Sequence, residues 1–570
     1  MAETKSTWES VGGNNGDRIG GNANKFSYTD KDGKTHTLQV DCGTMFSDKG
    51  LTGYDNFMPD LFESDGFLLT HCHMDHIGGI SHMLNLRRDE LKANREAGKD
   101  FVIHCAPYTQ KLLEDNLALQ KMPREEWPKF VKVEDGKPFE IAGFKVEPFA
   151  VSHSAPDAMG YVIESPDGVR MMTMGDFKTA PVPLGKGWDN ERIAEVAKKG
   201  VDLMFLDSTS ATQEGVCPPE KDVEKGIKDI VAQSEGGMIV SAVIASSAHR
   251  LHTVAMALAE HANETGKKPR TIILDGGSLK RSYIALKRCG YDIEKQVKEA
   301  TGQDIKIYDA RAPEAQKVPK TERFYVCTGT QGEELASFYR ASQGMNRNIP
   351  MKGTNCPIYV YNLQSCIPGN EETYAAMEQG FKDLGCTTYF PDRYKENKYL
   401  THVSGHAKAG DIRLACDLVA KNSPRPTTVV PVHGDPVQRR AVMKIAQDAG
   451  LKAAIVPNFA AVEVAKDGKV SYVQPTSKQE VWIGINDKND NFIEPDFQYD
   501  RVTRDVETDK LRVVETIPYT KAPVEDERRG KGKNKDGKWN NPPKKHNGKN
   551  KNKGGRFNPA FVKKGGRGGR

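Results

Sequence analysis

Six consecutive residues, His71-Cys72-His73-Met74-Asp75-His76, put three imidazoles and a carboxylate directly after an apolar run at 67–69. At that density, ring nitrogens and carboxylate oxygens read as metal donors rather than packing residues. Imidazole suits zinc, and a carboxylate also tolerates manganese. In extended backbone, residues 71 and 73 face one side and Cys72 the other, so Cys72 is not read as a ligand. A turn into a helix at Gly78-Gly79 would swing Asp75 and His76 beside the two histidines, giving two adjacent metal positions.

Such donors need a stiff frame. Four apolar runs, at 67–69, 169–174, 203–206 and 428–432, read as buried strands, and each ends within a residue or two of His, Asp or both. Delivering ligands from the ends of several buried strands is how a rigid scaffold builds a site. Runs at 26–28 and 37–40 flank Asp30-Lys31-Asp32-Gly33 and predict a hairpin. Helices are expected at 248–264, at 371–384 with Gly385 as a stop, and at 436–449 with Gly450 as a stop. Short β-rich runs alternating with amphipathic helices imply a layered α/β architecture. The stretch 214–389 holds none of the strongest ligand candidates and reads as a second domain inserted into the first. The expected organisation is a core at 1–213 and 390–475, the insert at 214–389, a linker or small extension at 476–527, and a tail at 528–570.

The chain has 570 residues, 37% of them apolar, which allows a large core and excludes wholesale disorder. No apolar run approaches the roughly 18 residues of a membrane span, and the first residues show no secretory signal. Ten cysteines scattered singly, with no CxxC, suit a reducing compartment, so a cytoplasmic location is expected. The net charge of +5 is unevenly spread: residues 528–570 carry 16 Lys and Arg against one acid, which leaves the remainder at −10. A tail this basic and this rich in Gly and Asn predicts disorder and attraction to polyanions. Trp539, Phe557 and Phe561 within it could stack on unpaired bases.

The cluster at 71–76 resembles the HxHxDH hallmark of the metallo-β-lactamase superfamily, and the resemblance extends through nearly the whole body. Asp41 in Val40-Asp41-Cys42-Gly43 matches the first motif, His153 in Val151-Ser152-His153-Ser154 the third, and Asp176 in Met174-Gly175-Asp176-Phe177 the fourth. Asp207 in Leu206-Asp207-Ser208-Thr209 looks like the acidic motif that precedes an inserted β-CASP domain, the mark of the nucleic-acid-processing branch. Ala245-Ser246-Ser247-Ala248-His249-Arg250, Thr328-Gly329-Thr330-Gln331-Gly332-Glu333, Ile367-Pro368-Gly369-Asn370-Glu371, His402-Val403-Ser404-Gly405-His406 and Pro431-Val432-His433-Gly434 are similar to bacterial ribonuclease J. The implied fold is α/β: a metallo-β-lactamase αββα sandwich with an inserted β-CASP domain, plus the disordered basic tail. The small C-terminal domain usual in that family is not recognisable after about residue 475.

The resemblance assigns His71, His73 and His153 to one divalent ion and Asp75, His76 and His433 to a second, with Asp176 bridging. The expected ions are two Zn2+, with Mn2+ as the alternative, lowering the pKa of water so that hydroxide forms near neutral pH. Asp41 and Asp207 are read as carboxylates that orient ligand imidazoles through their other ring nitrogen. The resemblance also makes Ser246, His402, Ser404 and His406 the holders of the scissile phosphate. Asp75, Asp176 and His406 are the catalytic candidates, with His406 donating the proton to the leaving oxygen. Without the resemblance, His402 and His406 read equally well as partners of buried backbone carbonyls. His36, His82, His104, His252 and His261 stand alone and read as ordinary surface or core residues, and the Gly-rich run at 328–333 is no phosphate loop because no GK[ST] follows.

The expected function is therefore metal-dependent hydrolysis of RNA phosphodiesters, as a 5′-to-3′ exonuclease, an endonuclease or both. The expected partner is single-stranded RNA with the basic tail as an auxiliary contact, no membrane is involved, and the assembly is a homodimer or homotetramer. A DNA nuclease of the β-CASP group, a small-molecule metallo-hydrolase and a non-catalytic RNA-binding scaffold are the competing readings.

Overall fold

A computed structural model describes residues 4–13, 20–44, 56–59, 64–367, 369–392, 395–457, 460–473, 480–485, 498–504 and 511–518. The basic tail lies outside the described residues.

Two sheets face each other at the centre. An eight-stranded one runs, in spatial order, Val470–Val473, Ala461–Val464, Lys5–Gly12, Ala23–Thr29, Thr35–Val40, Gly66–Leu68, Val102–Cys105 and Lys129–Lys132. The seven-stranded partner runs Lys452–Ala453, Thr428–Val432, Leu203–Asp207, Arg170–Thr173, Met159–Glu164, Phe144–Ala150 and Phe139–Ile141. The strand Leu203–Asp207 shows why its residues 203–206 are all apolar. Leu203 and Phe205 enter the core between the sheets, where the Phe205 ring centroid lies 4.6 Å from that of Trp8, while Met204 and Leu206 face the outer helices. A strand covered on both faces must be apolar at every position, which is the signal that the continuous run carries. Ile77, Ile80, Met83 and Leu84 of the helix Met74–Leu86 cover the first sheet, and Ile193, Val196, Ala415, Val419, Val442 and Ala446 of three more helices cover the second. The result is a four-layer helix–sheet–sheet–helix sandwich.

A separate six-stranded sheet, entirely parallel, runs Ile307–Asp309, Thr271–Asp275, Arg323–Cys327, Met238–Ala242, Ile358–Asn362 and Thr387–Tyr389. Its strands also alternate between two cores, with Ile272 and Phe324 on one side and Ile273 and Tyr325 on the other. The first of these cores continues into the sandwich, where Cys72, Tyr108, Ala155 and Leu184 pack in the same apolar cluster. The Tyr108 hydroxyl lies 2.6 Å from Ser282 Oγ across that seam.

The anticipated hairpin is present as Ala23–Thr29 paired antiparallel with Thr35–Val40. The anticipated helices are present as Ala248–Thr265, Glu371–Asp383 and Pro436–Asp448. Residues 480–485, 498–504 and 511–518 are strands that pair in antiparallel order and join Asn56–Pro59 in a four-stranded sheet.

One local expectation changes. The helix after the histidine cluster begins at Met74, so Gly78 and Gly79 lie inside it rather than at its start. They are needed there for space: a Cβ on Gly79 would lie 2.8 Å from Cys42 Sγ and 3.0 Å from Cys42 O, and one on Gly78 2.5 Å from Thr44 Oγ1. The glycine pair lets the helix lie directly on the loop that carries Asp41.

Candidate metal centre

Strand ends deliver the side chains. His71 and His73 follow Gly66–Leu68, and Asp75 and His76 occupy the first turn of Met74–Leu86. His153 follows Phe144–Ala150, Asp176 follows Arg170–Thr173, Asp207 ends Leu203–Asp207, and His433 follows Thr428–Val432. Asp41, just after Thr35–Val40, and His433 both adopt positive φ, +62° and +55°. Non-glycine residues rarely do so, and neighbours hold both in place. Thr70 donates its backbone N–H (2.8 Å) and its hydroxyl (2.7 Å) to the Asp41 carboxylate. Thr209 Oγ1 lies 3.0 Å from the His433 carbonyl and 2.6 Å from its Nδ1.

Three overlapping groups of donors result, each with its ligand atoms within 4.8 Å of one another: His71, His73, His153 and Asp176; Asp75, His76, Asp176 and His433; and Asp176, Asp207, His406 and His433. In the first, His73 Nδ1 lies 3.1 Å from His71 Nε2 and 3.0 Å from His153 Nε2. Those separations are close to the ~3.3 Å edge of a tetrahedron built on Zn–N bonds of about 2.0 Å. In the second, Asp75 Oδ2 is 3.0 Å from His433 Nε2 and 3.8 Å from His76 Nε2. Asp176 belongs to all three. Its Oδ2 is buried without a hydrogen-bond partner among the described residues, yet ring nitrogens of His76, His406, His71 and His153 surround it at 3.2, 3.6, 3.7 and 4.0 Å. An unpartnered buried carboxylate oxygen ringed by imidazoles fits a cation that both would ligate.

Remaining ring atoms are tied from outside. His76 Nδ1 faces Asp41 Oδ2 at 2.8 Å, His153 Nδ1 faces the Gly405 carbonyl at 2.8 Å, and His433 Nδ1 faces Asp207 Oδ1 at 3.3 Å. Each contact presents the opposite nitrogen to the centre. The two cages differ electrostatically. Burial pushes the His71, His73 and His153 rings down, His73 to about 4, which keeps them neutral with lone pairs available. Burial acts the same way on His76 and His433, but it is outweighed by Asp176 and the neighbouring carboxylates, which hold His76 well above its ordinary value and His433 at about 10. Protons on those rings balance a carboxylate-rich pocket that a divalent ion would balance instead.

Of the remaining sequence candidates, His406 joins the cluster with Nδ1 2.7 Å from Asp207 Oδ2. Ser404 stands beside it, its Oγ accepting the His406 backbone N–H at 3.0 Å. His402 instead lines a small cavity with Val243, Ser247, Arg250 and Gln364, where burial, reinforced by Arg250, pulls its ring down to about 3. No hydrogen bond joins His402 or the side chain of half-buried Ser246 to the donors above, among the described residues. Cys72 is buried in the apolar seam, away from the donor groups. The isolated histidines 36, 82, 104, 252 and 261 enter none of these groups. Sequence reasoning missed Thr70, Thr209 and Asn22, whose Nδ2 lies 3.0 Å from His76 Nε2. A lone threonine or asparagine carries no spacing signal.

Comparison with known proteins agrees with this geometry. Residues 41–259 match the β-lactamase superfamily domain, and residues 236–377 match the ribonuclease J β-CASP domain. The chain is 31% identical over 425 residues to Ribonuclease J of Mycolicibacterium smegmatis, covering 73% of this chain and 67% of that one. It is 29% identical over 443 residues to Ribonuclease J of Corynebacterium glutamicum, covering 76% of this chain and 54% of that one. For Ribonuclease J of Sinorhizobium meliloti the identity is 27% over 441 residues, 76% of this chain and 70% of the relative. The chain thus spans between about half and seven-tenths of the curated relatives' length. With a metallo-β-lactamase sandwich, a β-CASP domain and a histidine–aspartate centre at the strand ends, the chain belongs to the ribonuclease J family of nucleases.

Proposed function

We propose that this protein is a metal-dependent ribonuclease that hydrolyses RNA phosphodiester bonds in RNA processing and decay, acting from the 5′ end, internally, or both. The observation that carries the reading is the convergence of His71, His73, Asp75, His76, His153, Asp176 and His433, from distant parts of the chain, into two adjoining donor groups that share Asp176. The donor set of imidazoles and carboxylates suits two Zn2+, with Mn2+ as the alternative. Bound there, the ions supply the positive charge that makes water a nucleophile near neutral pH and offsets charge on the phosphate.

The chain's own groups do the rest. Asp75 and Asp176 hold the donor rings at fixed separations, and Asp41 and Asp207 fix the tautomers of His76 and His433. His406 Nδ1 lies 2.7 Å from the Asp207 carboxylate and 3.6 Å from Asp176 Oδ2. Burial works against its charge, but Asp207 and Asp176 raise its pKa, which suits a proton donor to the leaving oxygen. Ser404, His402 and, from the β-CASP side, Ser246 are the proposed holders of the phosphate oxygens. The RNA is proposed to be single-stranded, since a splayed strand can bring one phosphate at a time to a buried centre.

The basic tail at 528–570 is proposed as an auxiliary RNA contact, and its deletion should flatten the salt dependence of binding. A homodimer or homotetramer is the proposed assembly, and ten free cysteines suit a reducing, cytoplasmic setting. The deciding experiment incubates 5′-labelled RNA and matched DNA with the purified chain. RNA cleavage that a chelator abolishes, and that His76→Ala removes without unfolding, supports the reading; undiminished cleavage by metal-free protein ends it. Preferential cleavage of DNA would favour the DNA-nuclease alternative.

A further inference from the structure

The loop 401–408 between the insert and the returning part of the sandwich contains His402, Ser404 and His406 but has no regular secondary structure of its own. Backbone carbonyls in such a segment need partners if they are buried. Four of them have partners that reach in from elsewhere. Arg250 Nη1 donates to the Thr401 carbonyl at 2.5 Å, Lys178 Nζ to that of Ser404 at 3.1 Å, and Cys217 Sγ to that of His406 at 3.1 Å. The Gly405 carbonyl faces His153 Nδ1 at 2.8 Å.

Two of these holders are cations withdrawn from water: Lys178 is 0% exposed and Arg250 2%. Arg250 is balanced by a two-pronged pair with buried Glu220, at 3.0 and 3.1 Å, and Thr253 Oγ1 adds a third bond to that carboxylate at 3.0 Å. Asp411 closes the far end of the loop, accepting from the backbone N–H of Lys408 (3.0 Å), Cys217 (2.8 Å) and Thr179 (3.1 Å). Lys178 comes from the sandwich, just past the strand end that bears Asp176, whereas Arg250 comes from the helix Ala248–Thr265 that packs on the six-stranded sheet. The loop is therefore suspended between the two lobes by buried charged groups. Burying such groups is costly, and apolar residues would pack the same space more cheaply. What the charges achieve here is a fixed backbone from which Ser404 and His406 project.

We propose that Lys178 and Arg250 are positioning residues for phosphodiester hydrolysis: they hold the 401–408 loop from both lobes so that Ser404 and His406 face the reacting phosphate. The inference deepens, and rests on, the ribonuclease reading. The two ends of the loop have different tasks. Lys178 fixes the half that carries the proton donor His406, so its loss lowers turnover. Arg250 fixes the half that carries His402, so its loss weakens substrate binding.

The test uses the metal-loaded full chain with Lys178→Met, which keeps the length of the side chain, and Arg250→Lys, which keeps a cation beside Glu220 but cannot also reach the Thr401 carbonyl. Hydrogen exchange of residues 401–408 is read without RNA, alongside metal content, kcat and KM. Expected results are faster exchange confined to that loop in both variants and full metal content. Lys178→Met should lower kcat by up to about 100-fold with little change in KM. Arg250→Lys should raise KM more than it lowers kcat. Unchanged exchange of 401–408, or activity losses that simply follow lost metal, would overturn the proposal. If the wild-type chain cleaves no RNA, the ribonuclease reading fails, while the exchange measurement still decides whether these two residues hold the loop.

Discussion

Asp207 Oδ2 lies 2.7 Å from His406 Nδ1, and the other oxygen of the same carboxylate lies 3.3 Å from His433 Nδ1. One buried acid thus orients both a candidate metal ligand and the candidate proton donor. Burial would raise its pKa, but His406 beside it holds the carboxyl below its usual range, and the carboxylate in turn raises the pKa of His406. Asp207→Asn removes that support. A group with a raised pKa stays protonated to higher pH, so the variant should lose activity earlier as pH rises, with kcat reduced about 10- to 100-fold at neutral pH. A pH–rate profile whose alkaline limb stays in place would refute the coupling.

Asp41 plays the matching part at the other end of the centre. Its positive φ is held by two hydrogen bonds from Thr70, and its Oδ2 fixes His76 Nδ1 at 2.8 Å. Replacing it with Ala leaves the His76 ring free to turn and the Thr70 N–H unpaired. Metal affinity should fall about 10- to 100-fold. Competition with a chelator of known affinity measures this directly, and the loss should be greater for one of the two ions than for the other.

Gly43 makes a steric prediction. A Cβ there would lie 1.7 Å from the Asp75 carbonyl oxygen and 2.8 Å from the His76 nitrogen. The loop is bonded to the first helical turn through Cys42 N to His76 O (2.8 Å) and Thr44 N to Met74 O (3.0 Å), so it cannot move away without breaking those contacts. Gly43→Ala should therefore cost about 1–3 kcal/mol of stability or more and displace Asp75 and His76. A denaturation midpoint and metal content equal to wild type would show that the loop is softer than its bonding implies.

The apolar strands were legible because burial on both faces leaves no polar position: 203–206 and 428–432 read as strands in the sequence and are strands in the fold. The histidine cluster was equally legible, since four donors in six residues have few other uses. The glycine pair at 78–79 was misread for a physical reason. A glycine that permits a turn and a glycine that permits close approach look alike until the opposing loop, here Cys42 to Thr44, is in view. The holders of the 401–408 loop were invisible for another. Lys178 and Ser404 are 226 residues apart, and a single lysine or arginine in a sequence carries no periodicity to mark its partner. The strands after residue 480 were obscured by polar residues such as Asp500, Arg501 and Arg504, although Val481-Trp482-Ile483 is apolar, and Asn56–Pro59 supplies the pairing edge for 480–485.

Buried histidines outside the centre make the last prediction, concerning acid stability. His249 is fully buried, and burial, with only partial compensation from Glu220, pulls its pKa from 6.5 to about 3. Lys178 and His252 beside it act in the same direction as burial. The folded state therefore refuses a proton that the unfolded chain accepts below pH 6.5. The contribution to stability is intact above that pH and is lost progressively as pH falls towards 3, at a rate of at most about 1.4 kcal/mol per pH unit. His249→Phe has nothing to titrate, so its urea midpoint should fall less between pH 7 and pH 4.5 than that of the wild type, whatever its absolute value at pH 7. The comparison of slopes cancels the carboxylates and candidate ligand histidines common to both proteins. Parallel slopes would mean that His249 gains its proton in the folded state through water entering the seam.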